Sequence, residues 1–523
     1  MNRTFTRYYG LLFFLLAAIP PLTAIPSIES LFNQGSECYN NGDFEQAIEY
    51  YTQALTLSPA NPTILFNLGR SYEHTNQLDQ AVTHYQQTLS IHPSSTQVLN
   101  ALGCVLLKQQ KLSAAHLVFK QSFDLDPQQI HAPMQLANLY TLSNNNDEAI
   151  DLYEKILCHH PTCLQAHYNL AYSLKQIGDF EHSITSYEKT LELNPNADEA
   201  HLGLAKSLLA TGNFTKGWHH FEWRFSNSPQ VWQSLNYQNI DPQKLAGKRV
   251  LIRAEWGLGD MIQFVRYAQK LKECGAIVTL QAFDPLVPLL SLCPYIDQVV
   301  SDKTPVYPNF DYQIPFLSLP LLFKTTVETI PNTIPYLVAD RKLVDAWKTT
   351  LADDTNFKIG ICWQGKSDLF IEKHPLTKRS VALELFAPLA QIQGVTLYSL
   401  QKGEGEEQLQ TVCFAVKDFG PDFDKKHGRY MDTAAVMKNL DLFISVDTST
   451  VHLAGGLGVP TWVLIPFVPE WRWMTKRTDS PWYPEIMRLF RQPEPGNWNS
   501  VFNQIEQEVK KLVPHKKGNH VVT

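Results

Sequence analysis

The stretch NPTILFNLGRSYEHTNQLDQAVTHYQQTLSIHP, residues 61–93, decides the reading of the first half of the chain, because its landmarks return every 34 residues. Pro59, Pro93, Pro127, Pro161 and Pro195 keep that period without a slip. The aromatics Tyr51, Tyr85, Phe119, Tyr153, Tyr187 and Phe221 keep it too, as do Ala47, Ala81, Ala115 and Ala149. A second register carries Leu68-Gly69, Leu102-Gly103, Leu136-Ala137, Leu170-Ala171 and Leu204-Ala205. A fixed period of this length marks stacked copies of one supersecondary unit. Each proline ends a helix, since it lacks the amide donor and clashes with the preceding turn. The small residues let the two helices of a unit approach closely, and the aromatic is expected to fill the gap between units. The expectation is an α-solenoid of six helix pairs over residues 26–229.

These residues resemble the tetratricopeptide repeat. Such arrays stack helix pairs into a superhelix whose concave face recognises proteins. Asn33, Asn67, Gln135 and Asn169 share one position, just before the Leu-Gly pair, while Ala101 and Gly203 interrupt the series. An amide donates and accepts together, which suits a ladder gripping peptide backbone; the other reading is local helix-surface or capping amides. The architecture is similar to that of the O-linked N-acetylglucosamine transferases, where an asparagine ladder lines the groove. Cys158, His159, His160 and Cys163 cluster on the turn at Pro161, but no second ligand pair stands at a matching spacing, and no metal is expected there.

Outward from the repeats, composition narrows the class. A chain of 523 residues with 44% hydrophobic and 18% charged residues is globular rather than disordered. A net charge of −7 without a strongly basic region argues against nucleic acid as a partner. Eight cysteines without regular spacing indicate neither a disulfide framework nor a zinc ribbon. Arg3 and Arg7 precede the apolar run Leu11–Ile19, which Pro20 and Pro21 break, so residues 1–25 read as signal-like or membrane-anchor-like.

After a connector at 230–247 the periodicity changes. Short apolar runs at Arg249–Ala254, Ile277–Gln281, Lys358–Trp363, Thr396–Ser399, Leu442–Val446 and Thr461–Ile465 alternate with helix-like stretches. That alternation predicts parallel sheets covered on both faces. Two sets, at 248–345 and 346–515 ahead of a tail at 516–523, predict two Rossmann-like domains facing a cleft. Ligands of such folds sit at the carboxyl ends of strands.

Two motifs fall at such ends. In Glu255-Trp256-Gly257-Leu258-Gly259-Asp260, the glycines permit an unusual turn and close approach by a ligand. Asp260 is either a general base or the cap of the following helix. In Ser445-Val446-Asp447-Thr448-Ser449-Thr450-Val451-His452, a buried strand ends in a polar burst that starts a helix. Free amides there, the helix dipole and three hydroxyls form a site for a diphosphate; a hydroxyl-rich cap with His452 packed inside is the alternative. Gly360-Ile-Cys-Trp-Gln-Gly365-Lys366-Ser367 matches a phosphate-loop pattern, yet Ile361 to Trp363 read as continuing strand, and Pro375 breaks the helix such a loop requires.

The two motifs, with Trp363–Gly365, Lys378-Arg379-Ser380 and the tail Trp471-Arg472-Trp473 and Ser480-Pro481-Trp482-Tyr483-Pro484, resemble the heptosyltransferase-like glycosyltransferases (glycosyltransferase family nine), in bacterial proteins that join tetratricopeptide repeats to this domain. The resemblance covers nearly everything after residue 26. It implies the two-domain GT-B fold and an inverting, metal-independent transfer of a hexosyl or heptosyl group from a nucleotide-sugar donor to a protein or glycan acceptor held by the repeats. Asp260 would be the catalytic base. Gly259, Trp363, Lys378, Arg379, Asp447, Thr448, Ser449, Thr450 and His452 would bind the nucleotide sugar, with Lys378 or Arg379 neutralising the diphosphate. The last helix-like stretch, Val501–Val513, would cross back to the first domain. Ser449 departs from the family's usual glycine. A non-catalytic repeat scaffold with a degenerate transferase domain is the other expectation. Since nucleotide sugars are made in the cytoplasm, a cytoplasmic catalytic domain is expected, membrane attachment or export through residues 1–25 being the alternatives.

Overall fold

The computed structural model describes residues 26–226, 228, 235, 237, 240–305, 309–366 and 378–518. The signal- or anchor-like segment 1–25, much of the connector 230–247 and the end of the tail lie outside the described residues. Among the described residues no helix is long and apolar enough to cross a membrane.

The period resolves into helix pairs: α1 (Ile28–Asn41) and α2 (Phe44–Leu57), α3 (Pro62–His74) and α4 (Leu78–Ile91), α5 (Thr96–Lys108) and α6 (Leu112–Leu125). They continue as α7 (His131–Leu142) and α8 (Asn146–His159), α9 (Leu164–Gln176) and α10 (Phe180–Leu193), α11 (Asp198–Ala210) and α12 (Phe214–Phe221). Each periodic proline stands two residues past the end of a helix, in the turn to the next pair. The six aromatics are all buried. Their packing corrects one expectation: they fill the gap inside their own pair. A Cβ on Gly69 would lie 2.7 Å from the Tyr85 ring, and one on Gly103 would lie 2.5 Å from Phe119. Gly203 is the exception, pressed against Tyr187 of the preceding pair, so no side chain fits at that step of the amide series. Replacing Gly103 by Val is therefore expected to cost about 1–3 kcal/mol through overpacking against Phe119. A urea titration followed by helical circular dichroism reads this, and an unshifted midpoint would contradict the packing.

Residues through Pro161 form one compact unit, and those from Thr162 onward a second. The first contains α1–α8. The second contains α9–α12 together with both sheets, and one core joins Phe180, Leu209, Phe214 and Trp218 of the repeats to Ile252 and Phe264 and on to Val451 and Leu453. The Trp218 indole donates to the Thr325 carbonyl at 3.1 Å, tying α12 to the chain after the first sheet. Arg224 does the same with charge: Nε and Nη2 donate to the two oxygens of Glu255 at 2.9 and 3.0 Å, and Nη2 also reaches Ser318 Oγ at 2.7 Å.

The first sheet, β1 (Arg249–Arg253), β2 (Ile277–Ala282), β3 (Gln298–Ser301) and β4 (Tyr312–Pro315), is parallel in the order β3-β2-β1-β4. The second, β5 (Phe357–Cys362), β6 (Val395–Ser399), β7 (Leu442–Val446), β8 (Thr461–Ile465) and β9 (Met487–Arg491), is parallel in the order β6-β5-β7-β8-β9. Strands β7 and β8 are buried at every residue, as a sheet covered on both faces requires. The order reverses between β1 and β4 and between β5 and β7, the places where open parallel sheets bind ligands. Gly360 to Cys362 lie within β5, so the phosphate-loop pattern is strand up to that point.

Helices α13 (Leu258–Phe264) and α14 (Arg266–Glu273) follow β1, and α15 (Arg341–Thr350) leads to the second sheet. There α16 (Met431–Met437) precedes β7, α17 (Ser449–Gly456) follows it, and α18 (Trp498–Gly518) ends the described chain. The expectation that Val501–Val513 crosses back to the first domain fails. Val501, Phe502, Ile505 and Val509 bury their face in the core of the second sheet, with Phe357 and Phe386.

A histidine pair, His201 buried and His220 partly exposed, links α11 to α12. His201 Nε2 lies 2.9 Å from the Pro195 carbonyl and so carries the proton; its Nδ1 then accepts from His220 Nδ1–H at 2.7 Å. Burial first, then His201, His219 and Lys216, pulls the His220 pKa down to about 4 from the ordinary 6.5. An unfolded histidine takes its proton near 6.5, so this contribution is whole above that pH and is lost as pH falls toward 4. With screening at a half-exposed ring, the expected loss is roughly 1–2 kcal/mol. Urea midpoints compared at pH 7 and 4.5 should fall less in His220→Asn than in the wild type; equal falls would contradict the lowered pKa of His220.

Candidate active site

A cleft of about 1280 Å³ is lined by the segments that follow six of the parallel strands. These are Trp256–Asp260 after β1, Phe283 after β2, Gln364–Lys366 after β5, Leu400–Glu404 after β6, Asp447–Thr450 after β7 and Val468–Arg472 after β8. Arg379, Tyr430 and His452 complete much of the wall, and the repeats add Lys175, Gln176, Phe180 and Lys206. Lysine and arginine outnumber aspartate and glutamate among the lining residues by eight to five. In a chain of net charge −7 this concentration of positive charge favours an anionic guest.

The two motifs meet directly. Gly259 approaches α17 so closely that a Cβ would lie 3.3 Å from Ser449 Cα and 3.4 Å from His452 Cδ2. A side chain here would require α13 and α17 to move apart by a few tenths of an ångström. Asp260 caps α13 and also faces the cleft. Its Oδ2 accepts from the Gly257 amide at 3.1 Å, capping α13, while the carboxylate lines the cleft. Its Oδ1 accepts from Arg472 Nη2, and Arg472 also donates to Glu470 Oε1 and to Gln263 Oε1, each at 2.6 Å. Burial opposes the charge of Arg472, but Glu470, Asp260 and Asp447 outweigh it and raise its pKa. Arg472 therefore stays cationic and holds the Asp260 carboxylate at the junction of the lobes.

On the other wall, Thr448 is the extended residue at the start of α17. Its Oγ1 lies 2.6 Å from Thr450 Oγ1, and Ser449 Oγ lies 2.8 Å from the Tyr430 hydroxyl. By helix geometry the first-turn amides of Ser449 and Thr450 have no intrahelical acceptors, and both residues line the cleft. Val451 is satisfied by the Thr448 carbonyl at 3.1 Å. His452 lies behind this turn. Its Nδ1 is 2.9 Å from the Tyr483 hydroxyl and its ring stacks on Trp473 at 5.5 Å. Burial, with Arg472 and Arg266 nearby, holds its pKa well below the ordinary value, so the ring is neutral. The tail motif thus supports α17 from beneath: Tyr483 also faces the Tyr336 hydroxyl at 3.3 Å, and Arg266 donates to Tyr336 and to the Trp482 carbonyl.

Two expected donor contacts are corrected. Trp363 is fully buried in the core of the second sheet, with Ile361 and Leu383, and its indole does not line the cleft. An apolar ring at the end of a buried strand gains more from that core than from solvent. Lys378 is exposed and is not among the lining residues, whereas its neighbour Arg379 is. Arg379 lies beside Gly365, where a Cβ would stand 2.8 Å from its Nε.

Other residues of the site were not singled out by the sequence. Gln401 is buried; its Oε1 accepts from the Trp363 and Gln364 amides at 3.1 and 3.0 Å, and its Nε2 donates to the Gln364 and Glu404 carbonyls. It fixes the loops after β5 and β6 to each other. Trp256 lines the cleft with its indole half exposed and with φ of 61°, a left-handed conformation unusual for a bulky residue. Strain of this kind collects at functional sites. Of the proposed amide ladder, Asn67 donates to the Thr63 carbonyl of its own helix at 2.9 Å and Asn169 accepts from Gln165 at 2.8 Å, which are local contacts. Among the described residues no group of three or more His, Cys, Asp or Glu side chains is placed to hold a metal, and His160 bonds the Gln128 carbonyl at 2.6 Å.

The chain carries tetratricopeptide repeats: family models of the tetratricopeptide repeat match residues 40–103, 134–165 and 164–197. Protein FlbA of Caulobacter vibrioides is 26% identical over 318 residues, which cover 55% of this chain and 51% of FlbA. The chain thus spans about half the length of the curated relative it matches. Among solved structures, a crystal structure of MamA is similar at 21% identity and a TM-score of 0.31, covering 33% of this chain and 94% of that one. YrrB, described as a tetratricopeptide protein with an unusual peptide-binding site, is similar at 19% identity and a TM-score of 0.30, over 33% and 88% of the two chains.

Proposed function

We propose that the protein is an inverting glycosyltransferase of the GT-B type, moving a sugar from a nucleotide-diphosphate donor to a protein or glycan acceptor, with the repeats recruiting the acceptor. The observation that carries this reading is the cationic cleft at the carboxyl ends of both parallel sheets, where Asp260 from one lobe and the start of α17 from the other line the same space. The amides of Ser449 and Thr450, with Arg379 and Lys366, form the cradle for the diphosphate, and no metal is required for that charge. Trp256 supplies a flat exposed face for a sugar or base. Asp260 removes the proton of the acceptor hydroxyl, whose oxygen attacks the anomeric carbon opposite the diphosphate. The bond to the diphosphate oxygen breaks, and the negative charge gathering there is met by the cradle.

One observation favours the scaffold reading instead: both oxygens of Asp260 already have partners, Gly257 and Arg472. Each oxygen keeps a further lone pair, so transfer remains the preferred reading. Calorimetric titration of the full chain with ADP-, UDP- and GDP-sugars tests it. One donor class should bind, and Arg379→Gln should weaken it about tenfold or more. Binding of none, or affinity indifferent to Arg379, would leave the scaffold.

A further inference from the structure

The repeats bring two lysines into the cleft that the solenoid does not call for. Lys175 stands in the last turn of α9 and Lys206 in the middle of α11, and both line the cleft with Gln176 and Trp471. One repeat earlier, their places are held by Thr141 and Tyr172; two repeats earlier, by Leu107 and Asn138. Earlier repeats also place charges there, Glu73 at the first position and Arg70 at the second, but Glu73 pairs with Lys108 and Arg70 stacks on Tyr39, whereas the two lysines line the cleft. The two ammonium groups lie near enough to repel each other, and burial together with that repulsion pulls Lys175 down to about 7. The face of Tyr172, 5.1 Å from Lys175 Nζ, is its nearby aromatic contact. Among the described residues neither lysine has a carboxylate partner. Lys206 is exposed and Lys175 partly buried, and an anion seated between them would favour the charged form of Lys175 that burial and repulsion disfavour.

Their wall identifies which anion. The turn after α9 touches the loop after β8, where a Cβ on Gly178 would meet Val468 at 3.4 Å. That loop continues through Trp471 to Arg472, which holds Asp260. The lysines thus share a wall with the proposed base, and a base must stand beside the acceptor hydroxyl. We propose that Lys175 and Lys206 form a second anion site, which takes a phosphate or carboxylate group carried by the acceptor close to its reacting hydroxyl. The assignment of this anion to the acceptor rests on the transferase reading; the existence of the site does not.

The full chain is first saturated with inorganic pyrophosphate to fill the cradle at α17, then titrated calorimetrically with glycerol 3-phosphate and, separately, with glycerate. At least one probe should bind, and which one does distinguishes a phosphate-bearing from a carboxylate-bearing acceptor. The double variant Lys175→Met, Lys206→Met should weaken that probe about tenfold or more, and Lys175→Arg, Lys206→Arg should restore it. Pyrophosphate affinity should stay within about twofold in both variants. Binding of neither probe, an unaffected Met variant, or an equal loss of pyrophosphate would overturn the proposal. Thermal melting of the Met variant should match the wild type; a collapsed melt with no rescue by arginine would assign the lysines to the fold and also overturn it. If the lysine dependence holds while Arg379→Gln leaves pyrophosphate affinity unchanged, the transferase reading alone falls.

Discussion

Asp260→Asn is expected to lower sugar transfer by about 10²–10⁴-fold while donor affinity stays within about threefold. The asparagine keeps an oxygen that can accept from Gly257 or from Arg472, but it has no basic oxygen to take the acceptor's proton. The proposed diphosphate cradle, at Thr448–Thr450 on the other wall, is left in place. A purely structural role would show differently. Loss of the α13 cap and of half the Arg472 pairing would lower the melting temperature and affect donor affinity and turnover together. Turnover unchanged by the substitution, with the fold intact, would remove Asp260 from the chemistry.

The largest expected loss of stability follows from Arg224→Met. The Arg224 side chain is 2% exposed and Glu255 4%, with Glu222 also bonded to Arg224 at 2.8 Å. Removing the guanidinium leaves two carboxylates short of their counterion in a buried setting, which typically costs about 3–5 kcal/mol. The same guanidinium joins the end of the repeats to the strand-end motif, so the loss should register in the compact unit from Thr162 onward. Urea unfolding followed by tryptophan fluorescence, sensitive to Trp218 and Trp471 in that core, measures it. A paired change of Arg224 and Glu255 to apolar residues should recover much of the loss. A single variant as stable as the wild type would mean that the ion pair does not bind the repeats to the sheets.

How much of this was legible in the sequence depended on whether a residue's role was local. The repeats were, because Tyr85 and Gly69 must match at a fixed spacing in every copy. The strands at 249, 277, 357, 395, 442 and 461 were, because buried parallel strands are continuous apolar runs. Strands β3 and β4 were not: Gln298–Ser301 is short and partly exposed, and Tyr312–Pro315 ends in a proline. Strand β9, at the sheet edge, has its apolar residues interrupted by Arg488 and Arg491 and reads as no buried run. The strand-end motifs could be singled out, since glycine and hydroxyl clusters after a strand have few other uses. Trp363 was misjudged, because one aromatic type serves both core and ligand, and only burial separates them. Gln401 and the lysines of the last repeats reach the site through tertiary packing. Their positions, 54 to 141 residues from Asp260, carry no spacing that announces it.

A crystal of the full chain soaked with the tightest-binding nucleoside diphosphate tests the central claim most directly. The account predicts density for the diphosphate against the Ser449 and Thr450 amides, with the Arg379 guanidinium turned onto it and the Asp260 carboxylate facing the vacant sugar side. A nucleotide seated elsewhere, or no density in the cleft at saturating ligand, would contradict it.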